Sequence, residues 1–167
     1  MIHFTRYETI NLGFFSIYTW GLLASIGFIV GIYLAIREAK KKKIKLIHIY
    51  DISFLALLGG ILGARLAYFL VNIKEFNYNI LRIFDLSFGG SFFGGFILAS
   101  LFVYIYARKN KLNIWKYADI FAIPIVVGHA ILRIGCSLVV DHPGKPSNLP
   151  WAISVNGGVP MHPIAPY

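Results

Sequence analysis

Four long apolar stretches alternate with short polar ones along the chain. Each stretch has about the length that an α-helix needs to cross a bilayer. The predicted spans cover residues 16–36, 52–71, 92–107 and 117–140. We therefore expect an all-α integral membrane protein with a single membrane domain over residues 1–167. Residues 141–167 are rich in proline and glycine, and we expect them to form an irregular segment outside the membrane after the fourth span.

The composition supports this interpretation. Of the 167 residues, 57% are hydrophobic and 14% are charged, whereas soluble domains have about 25% charged residues. The single cysteine excludes an internal disulfide and a cysteine-rich metal site, and we expect no metal and no cofactor. The sequence stops directly after a proline-rich stretch, so we expect it to be a fragment of a longer chain.

Positive charge is concentrated in two of the polar stretches. Residues 37–45 contain six lysines or arginines against one glutamate, and residues 108–116 contain four. Cytoplasmic loops carry such an excess, so we predict that both loops are cytoplasmic and that both ends of the chain lie outside. Asp51 and Asp119 lie at the predicted cytoplasmic starts of two spans and fit N-terminal helix caps. A solvated loop accounts for the basic residues, and no nucleic-acid partner is expected.

Two arginines lie inside the predicted spans, Arg65 in the second and Arg133 in the fourth. An ionised arginine at membrane depth costs at least ~2.5 kcal/mol, so each should face the interior of the helix bundle and bind something anionic. In the predicted topology each lies roughly 10–12 Å below the outer end of its helix. Arginine offers phosphate a planar fork of donors. The pair therefore predicts a site for a phospholipid headgroup that opens sideways to the bilayer.

Other residues are predicted at the same level of the membrane. Gly94 and Gly95 belong to a glycine-rich turn before the third span and would let the backbone approach a ligand closely. Tyr18 lies at the outer start of the first span. His129 precedes Arg133 by four residues and therefore shares its helix face.

Each candidate also has a structural alternative, which the sequence leaves open. The arginines could cap backbone carbonyls or pair with Asp85 or Asp141. His129 could make an interhelical hydrogen bond, and the glycines could be helix contacts. Cys136 could be a packing residue, because a thiol among apolar side chains has low reactivity.

Four motifs in order resemble the prolipoprotein diacylglyceryl transferase family, and the likeness covers the chain from about Ile17 onward. They are G-A-R-L at Gly63–Leu66, G-S-F-F-G-G at Gly90–Gly95, R-I-G at Arg133–Gly135 and H-P-I-A-P-Y at His162–Tyr167. The resemblance implies transfer of a diacylglyceryl group from phosphatidylglycerol to the lipobox cysteine of a prolipoprotein signal peptide. The reaction would take place at the outer leaflet of the bacterial cytoplasmic (inner) membrane.

The resemblance also implies roles for individual residues. Arg133 matches the family's signature arginine, which would hold the phosphate, and Asp141 falls where the family usually carries a glutamate. His129 is the candidate for a substitute base. The predicted catalytic residues are thus His129, Arg133 and Asp141, and the predicted phosphatidylglycerol-binding residues are Arg65, Arg133, Gly94, Gly95, Tyr18 and His162.

Three positions depart from the family's pattern. Phe93 replaces a histidine in the glycine-rich turn, Cys136 replaces the asparagine of R-x-G-N, and Trp20 stands at the first-span tyrosine. Two other functions therefore stay open. One is a catalytically inactive relative that binds phospholipid headgroups, and the other is a small anion transporter subunit. The transporter is disfavoured, because we see no internal repeat with broken helices at the midplane.

Overall fold

A computed structural model describes residues 2–11, 13, 16–74, 90–140, 143–155 and 157–163. Helices dominate these residues: α1 is Thr19–Lys41, α2 is Leu46–Val71, α3 is Phe92–Lys109 and α4 is Ile114–Val139. All four are long and apolar enough to span a membrane. This confirms the predicted class of helical, multi-pass membrane protein, while the sidedness of the spans stays a prediction.

The described residues also contain short strands, namely β1 (Ile2–Phe4), β2 (Thr9–Asn11), β3 (Ser16–Tyr18), β4 (Pro143–Pro146), β5 (Ile153–Val155) and β6 (Met161–Pro163). β2 and β3 form an antiparallel hairpin directly before α1. The other four make one sheet in the order β1-β5-β6-β4, in which β1 and β5 run parallel. The segment after α4, which we expected to be irregular, thus contributes three strands.

The helix boundaries differ from the predicted spans where other contacts intervene. α1 begins at Thr19 and not at residue 16, because the preceding three residues pair with β2. α2 begins at Leu46, and the extended Lys45 before it makes no side-chain cap. α3 begins where predicted, because Ser91 caps it by accepting a hydrogen bond from the Gly94 N–H.

The chain divides into two compact units, which we describe separately. The terminal unit consists of Met1–Ala35 and Phe121–Tyr167, and the central unit of Ile36–Ile120. The division therefore runs through α1 and through α4. Their combination into a single membrane domain stays a prediction.

In the terminal unit, α1 and α4 meet at glycines. A Cβ atom on Gly27 would lie 2.6 Å from the carbonyl oxygen of Gly128, and one on Gly128 would lie 2.9 Å from that of Gly27. Further along the same contact, a Cβ on Gly31 would lie 3.4 Å from the Pro124 carbonyl oxygen. Small residues let helix backbones approach this closely in a membrane.

The central unit uses the same principle for α2 and α3. A Cβ on Gly59 would lie 2.8 Å from the Cα of Ala99, and one on Gly95 would lie 2.8 Å from the Gly60 carbonyl oxygen. Many of the large side chains face outward instead, among them Phe92, Phe93, Phe96 and Ile97 on α3. Small residues inside and large apolar residues outside are typical of helices that pack within a bilayer.

Candidate functional site

Arg133 lies on α4, six residues before the helix ends, and is half-buried. Its backbone carbonyl accepts a hydrogen bond from Ser137 Oγ at 2.9 Å. The candidates around it on the helix differ in environment, because Cys136 is 5% exposed whereas His129 lies on the exposed surface. The four-residue spacing thus brings His129 and Arg133 to adjacent turns without burying them together.

The start of α1 contacts the last turns of α4. The indole Nε1 of Trp20 donates a hydrogen bond to Cys136 Sγ at 3.3 Å. Beside it, a Cβ on Gly135 would lie 3.2 Å from the Cβ of Leu23. Tyr18 is the last residue of β3 and is exposed. The predicted headgroup residue Tyr18 is therefore two residues from a direct contact with the turn that follows Arg133.

The N-terminal segment, residues 2–11, also contacts the end of α4. Arg6 Nε donates to the Val139 carbonyl oxygen at 2.6 Å, and the Tyr7 backbone N–H donates to that of Leu138 at 3.1 Å. The last carbonyls of a helix have no partner within the helix, and a cation there is favoured by the helix dipole. Arg6 also pairs with Glu8 at 2.9 Å. Sequence reasoning missed Arg6, because a short polar segment before a span carries no motif.

α4 ends in an unusual backbone conformation. Val140 has a φ of 49°, in the left-handed region that β-branched residues rarely occupy. The predicted catalytic residue Asp141, which follows it, lies outside the described residues, as do Asp85 and Tyr167. His162 is described and lies half-buried in β6 of the terminal unit.

Arg65 belongs to the central unit and is half-buried on α2. Gly63, two residues earlier, packs against α3 at Gly94 and Leu98. Two residues correspond to about 200° around a helix, so the Cα–Cβ bond of Arg65 points away from α3. Gly94 and Gly95 are both occupied by packing against α2, which corresponds to the helix-contact alternative. A role in lipid binding for these residues stays a prediction.

A chain of polar side chains lies at the start of α2. Tyr106 Oη donates to Asp51 Oδ2 at 2.5 Å, and His48 Nδ1 lies 2.9 Å from the same hydroxyl. Because the hydroxyl proton is directed at the carboxylate, the Nδ1 of His48 must be the donor to Oη. The ring of Tyr117 packs edge-on against His48 with centroids 6.1 Å apart. This chain joins α2, α3 and the first turn of α4.

The polar chain corrects one expectation about the helix starts. Asp51 lies in the second turn of α2 and accepts a tertiary hydrogen bond, so it is not an N-cap. Asp119 likewise lies inside α4, and the cap of that helix is Asn113, whose Oδ1 accepts from the Lys116 N–H at 3.3 Å. The predicted caps were wrong because both helices begin earlier than their apolar spans.

The described residues offer a cation for an anionic ligand and no metal centre. Among them, no three His, Cys, Asp or Glu side chains are grouped so that they could hold a metal ion. Arg133 lies in an apolar helix, and the turns that follow it are fixed by contacts from α1 and from the N-terminal segment. Arginine in general offers a planar fork of donors to phosphate groups, and phosphate binding by Arg133 stays a prediction.

Comparison with known proteins gives consistent matches. A sequence model of the family described as prolipoprotein diacylglyceryl transferase matches residues 8–167. A phosphatidylglycerol–prolipoprotein diacylglyceryl transferase from Finegoldia magna is 36% identical over 149 residues, which are 89% of this chain and 60% of the relative. A protein of the same name from Clostridioides difficile is 34% identical with the same coverage. One from Thermosynechococcus vestitus is 29% identical over 93% of this chain and 58% of its own length. The chain thus spans about 60% of the length of these curated relatives.

Proposed function

The chain belongs to the prolipoprotein diacylglyceryl transferase family, and from this premise we propose that it acts in the transfer of a diacylglyceryl group from phosphatidylglycerol to a prolipoprotein. The acceptor is the thiol of the lipobox cysteine in the signal peptide. The relatives' names supply the lipid and the class of acceptor. The observation that carries the proposal is Arg133, a half-buried guanidinium near the end of an apolar helix.

In the proposed reaction, the acceptor thiolate attacks the glyceryl carbon that bears the phosphate ester. A C–S bond forms, the C–O bond breaks, and glycerol phosphate leaves with the bonding electron pair, while the thiol proton passes to a base. Positive charge on the phosphate stabilises the charge that develops on the leaving group. We assign this role to Arg133, that of the base to His129, and an orienting role to Asp141.

The proposed location is the outer leaflet of the bacterial cytoplasmic membrane. The two basic loops, residues 37–45 and 108–116, support a cytoplasmic position for one end of the helices. Arg65 and Arg133 lie toward the other ends of α2 and α4, six residues before each helix ends. The remaining residues proposed to contact the headgroup are Arg65, Tyr18, Gly94, Gly95 and His162.

The direct test is transfer from labelled phosphatidylglycerol to a lipobox peptide in proteoliposomes that contain the protein. Arg133→Ala should lower kcat/KM by about 10²-fold or more, because it removes charge stabilisation in the transition state. Arg133→Lys should recover only part of this loss, since lysine cannot bind phosphate bidentately. Arg108→Ala, an exposed cation at the end of α3, is the control and should transfer normally. Wild-type transfer by Arg133→Ala would refute the proposed site.

A second candidate is phospholipid binding without chemistry. Phe93, which stands where the resembled pattern has a histidine, is 73% exposed and offers no titratable group. The Cys136 thiol is buried and contacts Trp20. Binding of phosphatidylglycerol that depends on Arg133, together with no transfer to the peptide, would favour this candidate over the enzyme.

A further inference from the structure

Trp20 and Cys136 join α1 to α4 at the turn that follows Arg133. The indole Nε1 of Trp20 donates to Cys136 Sγ at 3.3 Å. Trp20 is the second residue of α1, and Cys136 lies three residues before the end of α4. Indole is a donor only and the thiol sulfur is an acceptor, so this contact has one direction and depends on both side chains.

The backbones around this contact leave the two side chains little freedom to move. A Cβ on Gly135 would lie 3.2 Å from Leu23 Cβ and 3.7 Å from Trp20 Cα. About two helix turns away, Gly27 and Gly128 are in backbone contact. Because the helices are this close, the contact between the Cys136 sulfur and the indole depends on the rotation and the depth of α4.

That rotation and depth also decide where Arg133 points. Cys136 follows Arg133 by three residues, so their side chains lie about 60° apart on one side of the helix. A shift of α4 by a single residue would turn the guanidinium by about 100°. A misplacement of about 1 Å can cost as much as 10²-fold in rate.

We propose that Trp20 and Cys136 form a positioning pair, which fixes the rotation of α4 and thereby aims the guanidinium of Arg133 at the lipid phosphate. The inference rests on the proposed function of Arg133 and goes beyond it by assigning a role to two residues that do not touch the phosphate. Both positions depart from the pattern that the sequence resembles. In the structure the two positions meet, because the donor at position 20 contacts the acceptor at position 136.

A double-mutant cycle on the whole chain in phosphatidylglycerol proteoliposomes tests the pair. Trp20→Phe and Cys136→Ala should each lower kcat/KM about 10-fold per folded protein, and the double variant should lose about 10-fold and not 100-fold. Replacement by another donor and acceptor, Trp20→Tyr with Cys136→Asn, should recover activity beyond either single change. Trp115→Phe, an 81% exposed tryptophan on α4, is the matched control and should behave as wild type.

The same cycle in the Arg133→Ala background separates positioning from simple stabilisation. If the pair acts through Arg133, Trp20→Phe has no further effect on the residual activity there. Additive losses, or an equal loss in both backgrounds, overturn the pair while leaving the transferase proposal intact.

Phosphatidylglycerol affinity, measured on the same variants, distinguishes the two proposals if the wild type transfers nothing. Non-additive, Arg133-dependent losses of affinity then support the pair and remove only the transferase step. An affinity that none of these variants changes overturns the pair.

Discussion

The terminal and central units are each built on two helices that meet at glycines, yet the side-chain hydrogen bonds described above lie at different places relative to their arginines. In the terminal unit, Trp20 and the N-terminal segment contact α4 within six residues of Arg133. In the central unit, the chain of His48, Tyr106 and Asp51 lies 14 to 17 residues before Arg65, about 21–26 Å away along α2.

This difference separates two tasks that contacts between helices perform. Glycines bring the backbones together in both helix pairs, which provides close packing in a membrane. Side-chain hydrogen bonds then join one end of each pair, while in the central unit the Ser91 backbone N–H also donates to the Ala64 carbonyl at 3.0 Å, beside Arg65. Arg133 lies beside such an end, so changes there should affect chemistry and stability together. Arg65 lies far from the His48–Tyr106–Asp51 chain, so changes in that chain should affect stability alone.

The largest expected effect comes from breaking the glycine contact of the central unit. Gly63→Ala would place a methyl group against the Gly94 carbonyl and Leu98 of α3, and overpacking of this kind costs about 1–3 kcal/mol. The check is the thermal unfolding temperature in detergent micelles. Gly60→Ala is the matched control, because no atom lies within 4 Å of its Cβ position and alanine favours helices. Equal unfolding temperatures for the two variants would contradict the packing.

The next effect should come from Tyr106→Phe. The change removes the donor to Asp51 and the acceptor of His48, and leaving a partly buried partner unsatisfied costs about 1–3 kcal/mol. Unfolding temperature should fall, while transfer per folded protein should stay near wild type. Tyr104→Phe, exposed on the same helix, should change neither quantity. A loss of transfer at an unchanged unfolding temperature would contradict the proposal that this polar chain affects stability alone.

A smaller change in stability is expected for Arg6→Ala in the terminal unit. It removes the hydrogen bond to the Val139 carbonyl and the pair with Glu8, worth about 1 kcal/mol for a half-exposed cation. In contrast to Tyr106→Phe, this variant should also lower transfer per folded protein several-fold, because the end of α4 loosens near Arg133. Lys145→Ala, an exposed cation in β4, serves as the control. Unchanged transfer by Arg6→Ala would show that the end of α4 does not need this contact.

The smallest effect should be a gain. Val140→Gly relieves a left-handed conformation that costs about 1–2 kcal/mol for a residue with a Cβ, and part of the gain is offset by the entropy of glycine. Unfolding temperature should rise slightly. Val140→Ala retains the Cβ and should give a smaller rise, if any. A lower unfolding temperature for the glycine variant would show that branching at Val140 contributes packing that outweighs the strain.

The sequence predicted the helices well wherever local signals mark their ends. α2 ends at Val71 and α3 begins at Phe92 as expected, because polar residues or a serine cap flank the apolar run there. The start of α1 was misplaced, since Ile17 and Tyr18 read as part of the span and only their pairing with β2 shows otherwise. The sheet was missed for a similar reason. Its parallel pair joins Ile2–Phe4 to Ile153–Val155, and no local sequence signal indicates a strand partner 151 residues away.

The charged residue of the candidate site could be predicted from the sequence, but the contacts that position its helix could not. Arg133 could be identified from the sequence, because an ionised arginine inside an apolar span is costly and therefore indicates a functional site. The contacts that support its helix could not be predicted. Arg6 lies in a segment without a recognisable motif, and the Trp20–Cys136 hydrogen bond joins residues 116 positions apart. Gly94 and Gly95 pack against α2, and their role at the headgroup stays a prediction, because a glycine that admits a ligand and one that admits a helix look the same in sequence.

The connectivity of the two units also sets an order of assembly during synthesis. The central unit is one continuous segment, so it can close once that segment has emerged, before the end of α4 has done so. The terminal unit is made from both sides of that segment, and α1 must wait in the membrane until α4 emerges and returns to it. The surroundings of Arg133 are therefore the last part of these helices to form, and a defect in the return of α4 would leave a well-folded central unit with the proposed phosphate site unfinished.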